Sequence, residues 1–273
     1  MKVLLTNDDG IRANGLNALR RALMEVPDIE LAVIAPDSNR SAMARSITTG
    51  KPLSVEEVDF GDGTTGFATD GTPVDCVRFA ALGLIPFQPE LIVSGINHGS
   101  NLGDDITYSG TVAAALEGVV LGLPAMAVSQ QAERGRLDAW TGPSSWDDGD
   151  FAQAAAFAAA IVDRLDDVPM PDGTLLNLNA PAGEAEGADA CRLGKRIYRD
   201  RLELAEEVDG RKHYRIYGTE PGYHEEEGTD FAVLAAGRIA VTPLHFDLTD
   251  QAGIEALGDF DLEALVRPAA REV

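Results

Sequence analysis

The chain has 273 residues, 45% of them hydrophobic, which suits one large α/β domain or two smaller ones and excludes a disordered chain. Its 45 acidic residues against 22 basic ones leave a formal charge of −23, which argues against duplex nucleic-acid binding through a basic face. No apolar run approaches the roughly 20 residues of a membrane span, and Cys76 and Cys191 fit no metal or disulfide spacing. Asp8 and Asp9 arrive before a signal-peptide core could form, so a cytoplasmic location and a reducing compartment are expected. The only lysines are Lys2, Lys51, Lys195 and Lys212. So acidic a protein repels itself unless concentrated salt shortens the Debye length, to about 3 Å at 1 M. A halophilic, high-salt cytoplasm is the environment this composition suggests.

The first third alternates strand and helix. Lys2–Thr6 reads as a buried strand with Asn7 and Gly10 turning the chain after it, and Leu16–Met24 carries helical spacing. Ile29–Pro36 is a second strand, and Gly71–Leu84 a helix with Pro73 in its first turn. Leu91–Ser94 reads as the third strand, a helix begins near Thr111, and Pro124–Ser129 is the fourth strand. The alanine-rich segment from Trp146 onward predicts a long helix packed closely on the sheet, and Gly173–Pro181 a further strand. From Gly183 the character changes to strand-like stretches joined by Asp209-Gly210, a hairpin signal. Glu225–Glu227 read as a solvated loop, Gly237–Leu244 as a strand, and the segment from Phe260 to Pro268 as a short closing helix. Buried strands separated by helices predict a mostly parallel sheet covered on both faces.

In such a sheet the loops after the strands gather at one edge, where ligands bind. Asp8 and Asp9 sit there side by side. Asn-Asp-Asp-Gly is good turn chemistry, and two adjacent carboxylates also suit a cation; taken alone, the pair leaves both readings open. Ser41 after the second strand and Asn97 after the third add neutral oxygens. An all-oxygen set without Cys or His fits a hard cation such as Mg²⁺ or Mn²⁺ better than zinc. Ser109, Gly110 and Thr111 open a helix whose free N–H groups favour a phosphate, although a plain Ser cap explains them as well. Asn101 upstream could add an amide donor. His98 is a candidate proton carrier or a residue lining the pocket.

The segments "LLTNDDG", "APDSNRSAMARSIT", "GTPVDCV", "VSGINHGSNLGDDITYSGTVAAALEG" and "LNLNAP", in this order from residue 1 to about 181, resemble the SurE family of metal-dependent 5′-nucleotidases (survival protein E), and "VTPL" near the end also fits. The resemblance implies a Rossmann-like α/β fold over residues 1–273, with a projecting β-hairpin extension at about 185–235 that exchanges between subunits to give a homodimer or homotetramer. It implies one divalent cation per subunit on Asp8, Asp9, Ser41 and Asn97, and phosphate contacts from Asn97, Asn101, Ser109, Gly110 and Thr111. Asp8 and Asp9 become the catalytic pair, and nucleoside 5′-monophosphates the substrates. Family members often carry Gly-His or a similar small-polar pair where this chain has Ala44-Arg45, so Arg45 becomes a candidate contact to phosphate or nucleotide. Two rivals fit less well. A haloacid-dehalogenase-type phosphatase needs its two aspartates two residues apart, and a phospho-receiver signalling domain needs an aspartate where the third strand here gives Ser94-Gly95-Ile96-Asn97.

Overall fold

The computed structural model describes residues 1–132, 146–216 and 222–266. β1 (Lys2–Thr6), α1 (Asn14–Met24) and β2 (Glu30–Pro36) lead to a hairpin of β3 (Val55–Asp59) and β4 (Thr65–Thr69). There follow α2 (Pro73–Ala81), β5 (Leu91–His98), α3 (Gly110–Val120), β6 (Ala125–Gln130), α4 (Ala152–Asp163) and β7 (Thr174–Ala180). β8 (Ala188–Ala190), β9 (Arg196–Ile197), β10 (Glu203–Val208), β11 (Arg211–Arg215) and β12 (Gly222–Tyr223) come next. The described part closes with α5 (Asp230–Ala235), β13 (Ile239–His245), α6 (Gln251–Gly258) and α7 (Leu262–Val266).

One sheet has the order β3-β4-β2-β1-β5-β6-β7-β13-β8. Only the β3–β4 and β7–β13 pairs in it are antiparallel. The chain leaves β1 toward β2 on one side and returns to β5 on the other, so the strand order reverses between β1 and β5. Ligands of open α/β sheets bind in the crevice at such a reversal.

The two faces of the sheet are sorted by the two-residue period of the strands. Val3, Leu5, Leu91, Val93, Met126, Val128, Leu176 and Leu178 face a core completed by α1 and α4. Leu4, Ile92, Ala125, Ala127 and Leu175 face the other core, beneath α2 and α3. The alanines of α4 (Ala154, Ala155, Ala158) are buried, as their small size predicts for a helix lying close to its neighbours. α2 begins with a capping box: Thr72 accepts from Asp75 N–H while the Asp75 carboxylate accepts from Thr72 N–H, and Pro73 stands in the first turn.

The expected strands and helices of the first half are present, with three changes. β5 runs on to His98, four residues past its apolar run. The alanine-rich helix opens with a 3₁₀ turn at Asp148–Phe151 before α4. The β3–β4 hairpin is an addition; in β3 only Val58 is buried and the intervening acids are exposed, so no apolar run announces it.

The later region is less uniform than an extension over 185–235 suggests. β8 joins the main sheet beside β13, and α5 packs with its Phe231 and Leu234 buried. What projects is the β10–β11 hairpin, which turns on Asp209 and Gly210 at positive φ as its sequence predicts; every residue of both strands is exposed. Glu225–Glu227 are exposed, as expected, with Glu226 bound to Arg192 at 2.7 Å. Positions 217–221 of the expected extension, and Arg267 and Pro268 of the closing helix, lie outside the described residues. No helix among the described residues is long and apolar enough to cross a membrane.

Candidate active site

Asp8 is 3% exposed at the carboxyl end of β1. Its Oδ1 accepts a 2.5 Å hydrogen bond from the Thr111 hydroxyl. A Cβ at Gly110 would stand 2.8 Å from Asp8 Cβ and 2.9 Å from its Oδ2, so only glycine lets α3 begin this close. The helix start therefore rests directly on a carboxylate, with the positive end of its dipole toward the negative group. Burial first, then the charge of Asp9, push the Asp8 carboxyl up to about 7, against the opposing pull of the Thr111 bond.

Asp9 faces the end of β5. Its Oδ2 accepts from His98 N–H at 3.1 Å and lies 3.0 Å from His98 Nδ1, while Oδ1 accepts from the Asn39 amide at 3.2 Å. The His98 ring is wedged edge-on against Trp146 and Phe151, with centroids 5.5 and 4.9 Å away. Its Nδ1 is thus beside Asp9 and the ring is held by aromatics.

The loop after β2 is laid over this edge by three anchors. Arg40 N–H donates to Asp8 O at 2.7 Å, Ala44 N–H donates to Tyr108 O, and the Asn39 amide donates to Asp9 Oδ1, while within the loop Ser41 N–H donates to Asn39 Oδ1. Farther along, the Asp75 carboxylate that caps α2 also accepts from Thr48 N–H, and the Thr72 hydroxyl donates to Ser46 O. This explains the "GTPVDCV" segment: it caps a helix and pins the end of the loop that carries Ser41. Ser41 is exposed, one residue beyond the Arg40 anchor. The Asn97 amide nitrogen donates to Gly99 O at 2.7 Å, which leaves Oδ1 as the atom offered to the site.

These residues fit a hard divalent cation. Two carboxylates, the Asn97 Oδ1 and the Ser41 hydroxyl are all oxygen donors on elements converging at the strand-order reversal. Among the described residues no three His, Cys, Asp or Glu gather at one point, so the donor set depends on the aspartate pair and neutral oxygens. Both cysteines are free thiols outside this set.

Ser109 does cap α3, accepting from Val112 N–H at 3.1 Å. The cap leaves the N–H groups of the first turn free to meet an anion, so capping and phosphate binding are compatible here. Thr111 is at the site through its hydroxyl on Asp8, a partner 103 positions away that no spacing reveals. Asn101 is more deeply fixed than a simple donor: its N–H donates to Asn179 Oδ1, its carbonyl accepts from the Asn177 and Asn179 amides, and its own amide donates to Ser129 Oγ. Asn177 and Asn179, fully buried on β7, are site residues that went unassigned although "LNLNAP" contains them.

Arg45 has a protein partner of its own. Its guanidinium pairs with the buried Glu117 of α3 at 2.6 Å and lies over the Phe246 ring, and Arg78 takes the other Glu117 oxygen at 2.7 Å. Glu117 is two turns along α3 from Gly110, so the structure does not bring the Arg45 head to the helix start. Glu117 is buried, and Arg45 and Arg78 together supply its counter-charge.

Residues 3–200 match the family model described as Survival protein SurE. The chain is 51% identical over 271 residues to the 5′-nucleotidase SurE of Rubrobacter xylanophilus, covering 97% of this chain and 99% of that one. It is 43% identical over 266 residues to the 5′-nucleotidase SurE of Chloroflexus aggregans, covering 96% and 100%. The crystal structure of the SurE protein from Aquifex aeolicus superposes with a TM-score of 0.76 at 37% identity, covering 95% of this chain and all of that one.

Proposed function

Because the chain belongs to the SurE family, we propose that it is a 5′-nucleotidase, hydrolysing nucleoside 5′-monophosphates to nucleoside and inorganic phosphate. The observation that carries this reading is the contact between Asp8 and the start of α3, which puts a cation-binding carboxylate against a phosphate-binding helix end. The haloacid-dehalogenase and phospho-receiver alternatives find no support.

We infer one divalent ion per subunit, Mg²⁺ or Mn²⁺, held by Asp8, Asp9, Ser41 and Asn97. When bound, such an ion supplies Lewis-acid polarisation of phosphoryl oxygens and a water acidified for in-line attack. The protein's own part is positional. Thr111 keeps Asp8 turned toward the edge, and His98 and Asn39 hold Asp9 by its two oxygens. Free N–H groups of Gly110 and Thr111 meet charge on the transferring phosphoryl group, with Asn97 and Asn101 on the flank. The exposed β10–β11 hairpin supports a homodimer or homotetramer built through the extension. The −23 charge supports a salt-rich cytoplasm as the working environment.

A phosphate-release screen over nucleoside 5′-monophosphates with Mg²⁺ and Mn²⁺, at low and high KCl, tests the reading. Metal-dependent release is expected. No release from any of them, with or without metal, would overturn it.

A further inference from the structure

The loop that joins β5 to α3 is fastened from two sides by residues distant in sequence. From the sheet side, Asn177 and Asn179 take the backbone of Asn101, as described above. From the opposite side comes Asp230, a fully buried aspartate at the start of α5. Its Oδ2 accepts from Gly103 N–H at 2.7 Å, and its Oδ1 accepts from Gly194 N–H at 2.8 Å. Only one of its side-chain bonds, from Phe231 N–H at 2.9 Å, stays within α5. A mere first-turn acid needs only that last bond. The other two reach 127 and 36 positions back along the chain.

The junction around Asp230 is packed to fit. A Cβ at Gly103 would stand 2.6 Å from the Phe231 ring and 2.8 Å from Gly194 O. Leu102, Phe231 and Leu234 form a small apolar cluster of their own, and Tyr223 stacks on Phe231 with centroids 4.7 Å apart. The acids that follow Gly103 are tied to the base of the extension as well. Asp104 accepts from Arg196 N–H at 3.1 Å, and Asp105 accepts from Arg196 Nε at 2.7 Å and from the Tyr198 hydroxyl at 2.8 Å. The loop leading to the Ser109–Thr111 helix start is thus bound to the part of the chain that carries the projecting hairpin.

An ionised carboxylate costs free energy to bury, and backbone N–H donors offset that cost only when their geometry is kept. Asp230 spends two such bonds on Gly103 and Gly194 and so sets the distance between the loop and the extension. We propose that Asp230 is a positioning residue for phosphate binding: from the base of the extension it fixes the backbone of the loop that carries Asn101 and enters α3. Asp9, whose partners are Asn39 and His98, does not depend on this junction. Phosphate affinity and metal affinity should therefore separate. The inference rests on the reading that Asn101 and the helix start meet phosphate.

Asp230→Asn keeps the shape of the side chain, leaves one acceptor, and removes a negative charge. Coulomb's law alone then predicts tighter binding of an anion nearby. Loss of the positioning bond predicts the opposite sign. Inorganic phosphate titrated calorimetrically into the Mn²⁺-loaded protein should bind about tenfold more weakly in the variant, the scale of one hydrogen bond to a charged group. Mn²⁺ binding to the metal-free protein, followed by electron paramagnetic resonance, should stay within about twofold, since its ligands are untouched. Unchanged or tighter phosphate binding overturns the proposal, and so does an equal loss of Mn²⁺ affinity, which would mean general loosening. Should Asp230→Asn fail to fold, Asp105→Asn tests the same junction from a part-exposed position. It should weaken phosphate in the same direction by about threefold, the modest worth of a part-exposed ion pair, and no change would overturn the proposal. Calorimetry needs no turnover, so the two readings fail separately: a wild-type protein that binds phosphate but hydrolyses no nucleotide defeats only the functional one.

Discussion

The catalytic edge and the projecting hairpin are built on opposite terms. At the edge, Asp8, Thr111, Asn177 and Asn179 are polar and almost wholly buried, and each is bonded to another element. In and beside the hairpin, Leu204, Tyr214 and Ile216 are apolar and 53%, 47% and 57% exposed. Leu257 of α6 and Leu265 of α7 are likewise 55% and 70% exposed. Buried polar groups need partners, and these four find theirs within the one chain. Exposed apolar side chains in such number are what the proposed oligomer would cover. The difference sets the buried edge apart from the exposed hairpin, and the two are linked at the base of the extension, where Asp230 and Arg196 hold the loop before α3.

The largest effect should come from the edge. Asp9→Asn removes one of only two anionic donors and should lower nucleotide hydrolysis by about a thousandfold or more, with the melting temperature and oligomeric state unchanged. Near-wild-type phosphate release at saturating metal would remove Asp9 from the ligand set. Thr111→Val comes next. It keeps the helix start and its N–H groups but frees Asp8, so metal affinity or turnover should drop about 10- to 100-fold. A change in thermal stability alone would reduce Thr111 to a structural role.

The pH dependence is smaller and has a definite sign. The Asp8 carboxyl stands at about 7 in the folded protein against an ordinary value of 3.8. A raised carboxyl contributes stability that is complete below about 4 and lost as pH rises through about 7. The same proton competes with a cation, so Mn²⁺ affinity should strengthen up to about tenfold per pH unit until about 7 and then level off. Electron paramagnetic resonance titrations at several pH values measure this, and a flat profile would contradict the buried state of Asp8. The smallest effect on chemistry should come from salt. In low KCl the unscreened carboxylates should first part the proposed subunit contacts and loosen the fold, with activity falling only several-fold until they do. Sedimentation and circular dichroism over a KCl series follow the two events. Full activity and an unchanged melting temperature near 50 mM salt would mean that the charge has no such role.

The edge was largely legible because its makers are local. Apolar runs bounded by turn residues reveal β1, β5, β6 and β7, and Ser-Gly-Thr before an apolar segment reveals the start of α3. The adjacency of Asp8 and Asp9 suffices to place both at one strand end. Long-range partnership was not legible. That Thr111 serves Asp8, that Asn179 holds Asn101, and that Arg45 answers Glu117 depends on elements meeting across the sheet. β3 was missed for another reason: it is an edge strand in which Glu56 shares the face of the buried Val58, and period-two apolarity is weak there. α6 was missed because none of its residues is buried, so its apolar face has no counterpart within the described chain.

The close seat of Gly110 on Asp8 bears on how such a site can diverge. On the proposed reading, one contact joins the cation end to the phosphate end, so a change that shifts α3 also shifts the Asp8 carboxylate. A shift of α3 as a whole therefore reaches both ends, whereas a change confined to the loop before it reaches the phosphate end. Variation in which nucleoside is accepted must therefore accumulate in residues outside this contact, along the outer rim where the loops are free to vary. The two ends would be inherited together as one unit, however far the rest of the sequence wanders.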